Sequence, residues 1–281
     1  MELNRPAFLF ATLVGGVVMA TGAQSQTLGF SRMTSAPIEI EADEGIEWHR
    51  ANQLYVARGN AKASQGVVTV EADSLTAFYR VTSAGDSEIF RIDADGSVRI
   101  SSAEEVATAD KAVYDVDKGI LVLTGDEIQL DTKDSTITAE DSLEYYEQTQ
   151  LAVARGNAVA SQPDRRVQAD VLMAHFAEQE GAERGSKVDR IEAVGNVVIW
   201  TPTDLVQASR GEYRIDEGIA TLNGAVRITR GENQLNGEFA EVDLNTGISR
   251  LLGGSPTSGK SRVRGLIVPS AKDSLIGNPG G

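Results

Sequence analysis

The sequence predicts an all-β protein, an elongated antiparallel β-roll or jelly roll of stacked repeat units, with a parallel β-helix as the alternative. Three observations predict it. Apolar and polar residues alternate at period two around six glycines, the pattern of strands with one dry and one wet face. The same motif recurs along most of the 281-residue chain, and such units must stack because none can bury its apolar face alone. No stretch shows a sustained helical period with caps. Composition agrees: 41% hydrophobic residues supply a core, while 28 glycines and only 5% aromatics suit short strands and turns better than long packed helices.

The N-terminal element reads as a targeting segment. Arg5 lies in a short polar start, residues 7–20 form an apolar run, and Thr21, Gly22 and Ala23 supply a small-residue cleavage site. That run of about 14 residues falls short of the roughly 20 that span a bilayer. Residues 1–23 are therefore read as a signal peptide cut after Ala23, with an uncleaved anchor as the other reading. Residues 24–36 follow as a linker.

The body, residues 37–250, carries the repeat. Its glycines are Gly59, Gly96, Gly125, Gly156, Gly195 and Gly224, each read as a turn between two strands. Thirteen residues after five of them stand Ala72, Ala109, Ala169, Ala208 and Gly237. After Gly125 the matching Ala139 is fourteen on, one extra residue of the kind a bulge absorbs. A longer period is superimposed: Gly96 to Gly195 and Gly125 to Gly224 are each 99 residues, and residues 54–79 echo residues 151–176. The body is thus read as a duplication, about 54–150 and 151–247. Residues 251–281 read as a Gly/Ser/Pro linker and a basic segment.

Alternation assigns the dry face. It takes Ile92, Ile191 and Leu222 before the glycines, and Ala61, Ala63, Val98, Ile100, Ala158, Ala160, Val197, Ile199, Val226 and Ile228 after them. The small alanines leave room for a groove; a tightly filled core is the competing arrangement. A stacked roll also has two open edges, and an unpaired edge templates pairing with another chain. Ile38 and Ile40 at one end, and Val263, Leu266 and Val268 at the other, are the expected edge contacts.

Charge and motifs argue against other functions. With 41 acidic against 26 basic residues and a net charge of −15, a nucleic-acid partner is disfavoured. No cysteine is present for thiolate or disulfide chemistry. The stretch from Gly254 to Ser261 matches a P-loop pattern, but the segment after it reads as a strand, where phosphate binding needs a helix. The two histidines, His49 and His175, lack a nucleophile elbow or metal-ligand spacing. Paired acids (Asp93 with Asp95, Asp115 with Asp117, Asp131 with Asp134) lack the spacing of calcium loops and read as solvated turns and wet strand face. No catalytic residues, metal or cofactor are expected.

The ordered set Pro37-Ile-Glu-Ile-Glu-Ala-Asp43, Tyr55-Val-Ala-Arg-Gly-Asn60 and Val70-Glu-Ala-Asp73 resembles the opening of the LptA/OstA-like domain, over roughly residues 38–250. Residues 262–269 also resemble the C-terminal end of some members. The resemblance implies a folded-over antiparallel roll in the periplasm whose interior shelters the acyl chains of lipopolysaccharide, making the dry-face residues the lipid contacts. It also implies edge-to-edge partners, an LptC-like inner-membrane and an LptD-like outer-membrane component, and head-to-tail self-association. Two features depart from a short member: the double copy of repeats and the C-terminal extension. A structural or adhesive β-solenoid with a filled core is the alternative function.

Overall fold

A computed structural model describes residues 38–177, 187–243, 245–246, 248–254 and 262–268. The expected signal peptide and linker, and most of the P-loop-like stretch, lie outside the described residues. The strands are β1 (Glu39–Glu41), β2 (Gly45–His49), β3 (Leu54–Gln65), β4 (Val68–Val81), β5 (Ser87–Ser101), β6 (Val106–Asp115), β7 (Ile120–Thr124), β8 (Ile128–Asp131) and β9 (Thr136–Ala139). They continue with β10 (Ser142–Tyr146), β11 (Leu151–Gln162), β12 (Arg165–Phe176), β13 (Val188–Trp200), β14 (Leu205–Arg214), β15 (Ile219–Arg230), β16 (Asn233–Asp243), β17 (Ile248–Leu252) and β18 (Arg264–Leu266).

Every registered pairing is antiparallel, so the parallel β-helix is excluded. Four layers are split into two short strands each: β1 with β2, β7 with β8, β9 with β10, and β17 with β18. Counting each split pair once, fourteen layers follow one another from β1/β2 to β17/β18. Hairpin turns carry glycine and Asx residues suited to them. Gly119 has φ 61 after Asp117 and Lys118, and Asp243 accepts the backbone N–H groups of Asn245 and Thr246 at 2.9 and 3.0 Å.

The key glycines correct the sequence reading. Five of them do not end a strand; single strands of 12 to 15 residues run straight through them. At each, the glycine and the next residue both take positive φ, as in Gly156 (80) with Asn157 (44) and Gly195 (79) with Asn196 (47). Register shows why. Arg58 pairs Ser74 and Ala61 pairs Ala72, so Gly59 and Asn60 together oppose Asp73 alone. This is a bulge of two residues against one, and it bends both strands. Equivalent shifts recur between β5 and β6, β11 and β12, β13 and β14, and β15 and β16. At Gly125 the bend breaks the strand outright, which is where the fourteenth residue goes.

The acidic residues that directly follow Ala42, Ala109, Ala139 and Ala169 hold this corner. Asn60 Nδ2 donates to Asp43 at 2.7 Å, Asn157 Nδ2 to Glu140 at 2.9 Å, and Asn196 Nδ2 to both oxygens of Asp170 at 3.0 Å. The backbone N–H of Asp126 donates to Asp110 at 2.8 Å. Each carboxylate thus catches a donor of the next layer. Ala72, Ala109, Ala139 and Ala169 beside them are buried, where only a small side chain fits the inside of a sharp bend.

Candidate functional site

Because all layers bend at one place, each contributes one half to a first wall and the other half to a second. The walls face each other, and residues from both form a single hydrophobic cluster. The residues immediately after the corner, Ala61, Val98, Ala158, Val197 and Val226, are at most 1% exposed. No residue of a lone two-faced sheet would be buried so completely.

On the wall after the corner, cross-strand partners form one row: Ile40, Ala63, Val70, Ile100, Ala107, Leu130, Ile137, Ala160, Val167, Ile199, Val206, Ile228 and Leu235. Every member is apolar. At about 4.8 Å per strand this row runs for roughly 60 Å. On the wall before the corner, the matching row includes Ala57, Leu75, Ala94, Ala112, Leu123, Leu143, Ala154, Leu172, Ala193 and Leu222. A second row on that wall holds Ile92, Tyr114, Leu121, Tyr145 and Ile191.

All the predicted dry-face residues lie on these two walls. Ile100, Leu222 and Ile228 are buried, Ala63, Ile92, Ala160 and Ile199 are half-buried, and Ile191 is 38% exposed toward the open side. Sequence reasoning missed Leu75, Ala112, Tyr114, Leu143, Tyr145, Leu172 and Val206. The signal was present as small-to-apolar pairs three apart, such as Ala109 with Ala112 and Ala169 with Leu172.

The walls leave a cavity of about 70 Å³ toward the N-terminal end, lined from one side by Ile38, Ala63, Val68, Val70 and Ile100. From the other side it is lined by Leu75, Ile92, Ala94, Ala112, Tyr114 and Leu121. Polar groups gather at the lips. Burial first, then the hydrogen bond to Glu147 at 2.8 Å, pushes the Tyr114 hydroxyl far above its ordinary range. Asp204, its side chain fully buried, accepts two bonds from Arg230 at 2.6 Å each.

The discounted chemistry is placed elsewhere. Asp93 pairs with Arg91 at 2.6 Å, Asp95 with Lys111 at 3.1 Å, Asp115 with Lys118 at 2.7 Å and Asp117 with Arg80 at 2.7 Å. His49 meets Glu47 at 2.7 Å and His175 meets Glu192 at 3.1 Å, neither in the cleft's apolar rows. Among the described residues no group of three metal-ligating side chains occurs.

The two edges are built alike. At one end β1 and β2 each cover half of β3, exposing Ile40, Ile46 and Trp48. At the other, β17 and β18 cover the halves of β16, exposing Ile248, Leu252 and Leu266. Ile38 turns into the cavity, while exposed Val263 and Val268 flank β18, the latter donating its N–H to Asn233 at 2.8 Å.

Fold and site together define a repetitive antiparallel β-roll organised around a continuous apolar interior. The chain belongs to the family described as LptA/(LptD N-terminal domain) LPS transport protein, whose model matches residues 39–141 and again residues 136–248. Its role is in lipopolysaccharide transport. It is 28% identical over 128 residues to an uncharacterised protein of Rhizobium meliloti (strain 1021), covering 44% of this chain and 68% of that one. Among solved structures it is similar to LptH, the LptA homologous periplasmic component of the conserved lipopolysaccharide transport device from Pseudomonas aeruginosa. That similarity has a TM-score of 0.40 and 17% identity, covering 48% of this chain and 95% of LptH.

Proposed function

We propose that this chain is a periplasmic carrier that shelters the acyl chains of lipopolysaccharide between its two walls on the way from inner to outer membrane. The observation that carries the reading is the apolar row crossing every strand of the post-corner wall from Ile40 to Leu235. Each methylene moved from water into such a cleft gains about 0.8 kcal/mol, so a chain of a dozen carbons gains roughly 10 kcal/mol before ordering costs. The cavity of about 70 Å³ is half the ~150 Å³ that admits a benzene ring. Binding therefore parts the walls, and the corner bulges are where that motion is hinged.

The body from Pro37 to Arg250 acts as a duplicated unit, with its two exposed edges taking LptC-like and LptD-like components or a second copy of the chain. Antiparallel strand addition at β1/β2 or β17/β18 would bury Trp48 or Leu266 and satisfy open backbone groups.

The test is photo-crosslinking of lipopolysaccharide to purified protein, with the probe at Ile199 on the inner face or at exposed Arg227 on the outer face. Labelling from Ile199 and not from Arg227 is expected. A folded, monodisperse protein labelled from neither position is a structural roll with a filled interior, and the carrier reading falls.

A further inference from the structure

The two halves of the cleft have different lips. Gln65 pairs with Val68 at the hairpin end of β3 and β4, and Gln162 pairs with Arg165 at the matching end of β11 and β12. Val68 lines the apolar cavity. Its counterpart in the second half is a cation. Arg165 lies two residues before Val167 of the apolar row, on the same side of the strand, so it belongs to the inner face. Burial agrees: the Arg165 side chain is only 16% exposed, while the next residue, Arg166, faces outward over the Trp200 ring. The charge of Arg165 is felt across the cleft at Tyr213, whose hydroxyl is pushed up by burial and drawn partly back by that guanidinium.

A half-buried cation at the lip of the apolar interior, in a chain of net charge −15, is a specific expense of the fold. Asp164 is one of its partners, bonded at 3.1 Å through two nitrogens and itself 58% exposed. An exposed partner is readily exchanged, because water takes over its carboxylate. Arg230, also on the inner face of this half, is held by the fully buried Asp204.

We propose that Arg165 receives the phosphate of an amphipathic lipid whose chains lie in the cleft, replacing Asp164 with a bidentate guanidinium–phosphate contact. The geometry suits phosphate because the planar fork of arginine matches its oxygens. Arg165 then sets the polarity of the cargo, headgroup toward the second half and chains toward the apolar lip at Val68. This rests on the lipid-carrier reading above.

The test compares the full protein with Arg165→Val, which installs the first-half residue, and with Asp164→Asn, which removes the competing carboxylate. The probes are bis-phosphorylated lipid A, the same lipid after phosphatase treatment, and sodium phosphate alone. The parent protein is expected to prefer the phosphorylated lipid by about tenfold. Arg165→Val loses that preference while binding the dephosphorylated lipid as the parent does, and Asp164→Asn increases it. Sodium phosphate at lipid concentrations displaces neither lipid. Equal binding of the two lipids by the parent, a preference retained in Arg165→Val, or saturable phosphate binding without lipid discrimination each overturns the assignment, leaving the carrier reading intact. Failure of folded parent protein to bind either lipid removes the carrier reading and this inference with it.

Discussion

Replacing Gly156 by alanine isolates what the corner contributes. Gly156 has φ 80, outside the comfort of L-residues, and that conformation alone costs alanine about 1–2 kcal/mol. A Cβ there would stand 2.5 Å from Asp141 Cγ and 2.7 Å from the Asp141 backbone nitrogen. The nitrogen cannot simply retreat, because its N–H donates to the Arg155 carbonyl at 3.0 Å. Moving it also strains the Asn157 to Glu140 bond at 2.9 Å, and each bond is worth about 1 kcal/mol. The expected loss is about 3 kcal/mol. Gly231, in the turn after β15, is the control: its φ is 55 and nothing lies within 4 Å of an added Cβ, so Gly231→Ala loses about 1 kcal/mol. Urea midpoints at constant m separate the two variants, with Tm falling by roughly 6–12 °C against 2–4 °C for a chain of this size. Equal midpoints would refute the steric account of the corner.

Three further outcomes are expected. Burial raises the Glu144 carboxyl, but hydrogen bonds from Tyr146, Arg155 and Ser142 outweigh it and hold the pKa below the ordinary 4.5. A depressed folded value means stability present above pH 4.5 and lost as pH falls through the lower folded value, so Glu144→Gln flattens the midpoint decline as pH falls below 4.5; an unchanged slope contradicts this. Asp204→Asn takes the buried carboxylate from Arg230 at the inner lip and costs about 2–4 kcal/mol, while Asp204→Leu with Arg230→Leu costs less than the two single changes summed, in a double-mutant cycle by urea unfolding. Ile191→Glu, at a site 38% exposed, leaves the melt within about 1 kcal/mol yet weakens lipopolysaccharide retention, whereas Ile228→Glu, at a buried site, unfolds the roll; retention by Ile191→Glu equal to the parent removes that part of the wall from the cleft.

What was legible in the sequence followed period two. In β3, β5, β11, β13 and β15 the inner residues on either side of the corner are four apart, Ala57 with Ala61 and Ala193 with Val197, so alternation passes through the glycine without changing phase. In β4, β6, β12, β14 and β16 they are three apart, Ala72 with Leu75 and Ala109 with Ala112. A spacing of three flips the phase, and period-two reading loses half of each such strand. Leu172 and Tyr114 were invisible for that reason. The glycines themselves were legible as special positions, but a bulge and a hairpin turn draw on the same residue, and only pairing register distinguishes them. The Arg165 lip was obscured by its setting: Asp-Arg-Arg after a proline reads as a solvated turn until the strand assigns one arginine inward and the next outward.

The same phase slip explains how an enclosed apolar interior arises at all. If every strand kept four residues between inner positions, neighbouring strands would stay in register, the sheet would remain flat, and one face would be left to water. Removing one residue from alternate strands shortens them at the bend, so each longer neighbour must bulge, and the bulge turns the whole sheet at one line. Both halves of the apolar face then look at each other. Since the turn is repeated layer by layer, the interior is a trough of near-equivalent steps about 4.8 Å apart and contains no polar residue along its post-corner row. A chain lying in such a trough meets the same environment after advancing one strand, so no single site holds it much more tightly than the next. Strong discrimination along the trough can come only from groups that break the repeat, and on the inner face at the hairpin ends of β3/β4 and β11/β12 that break is Val68 in one half and Arg165 in the other.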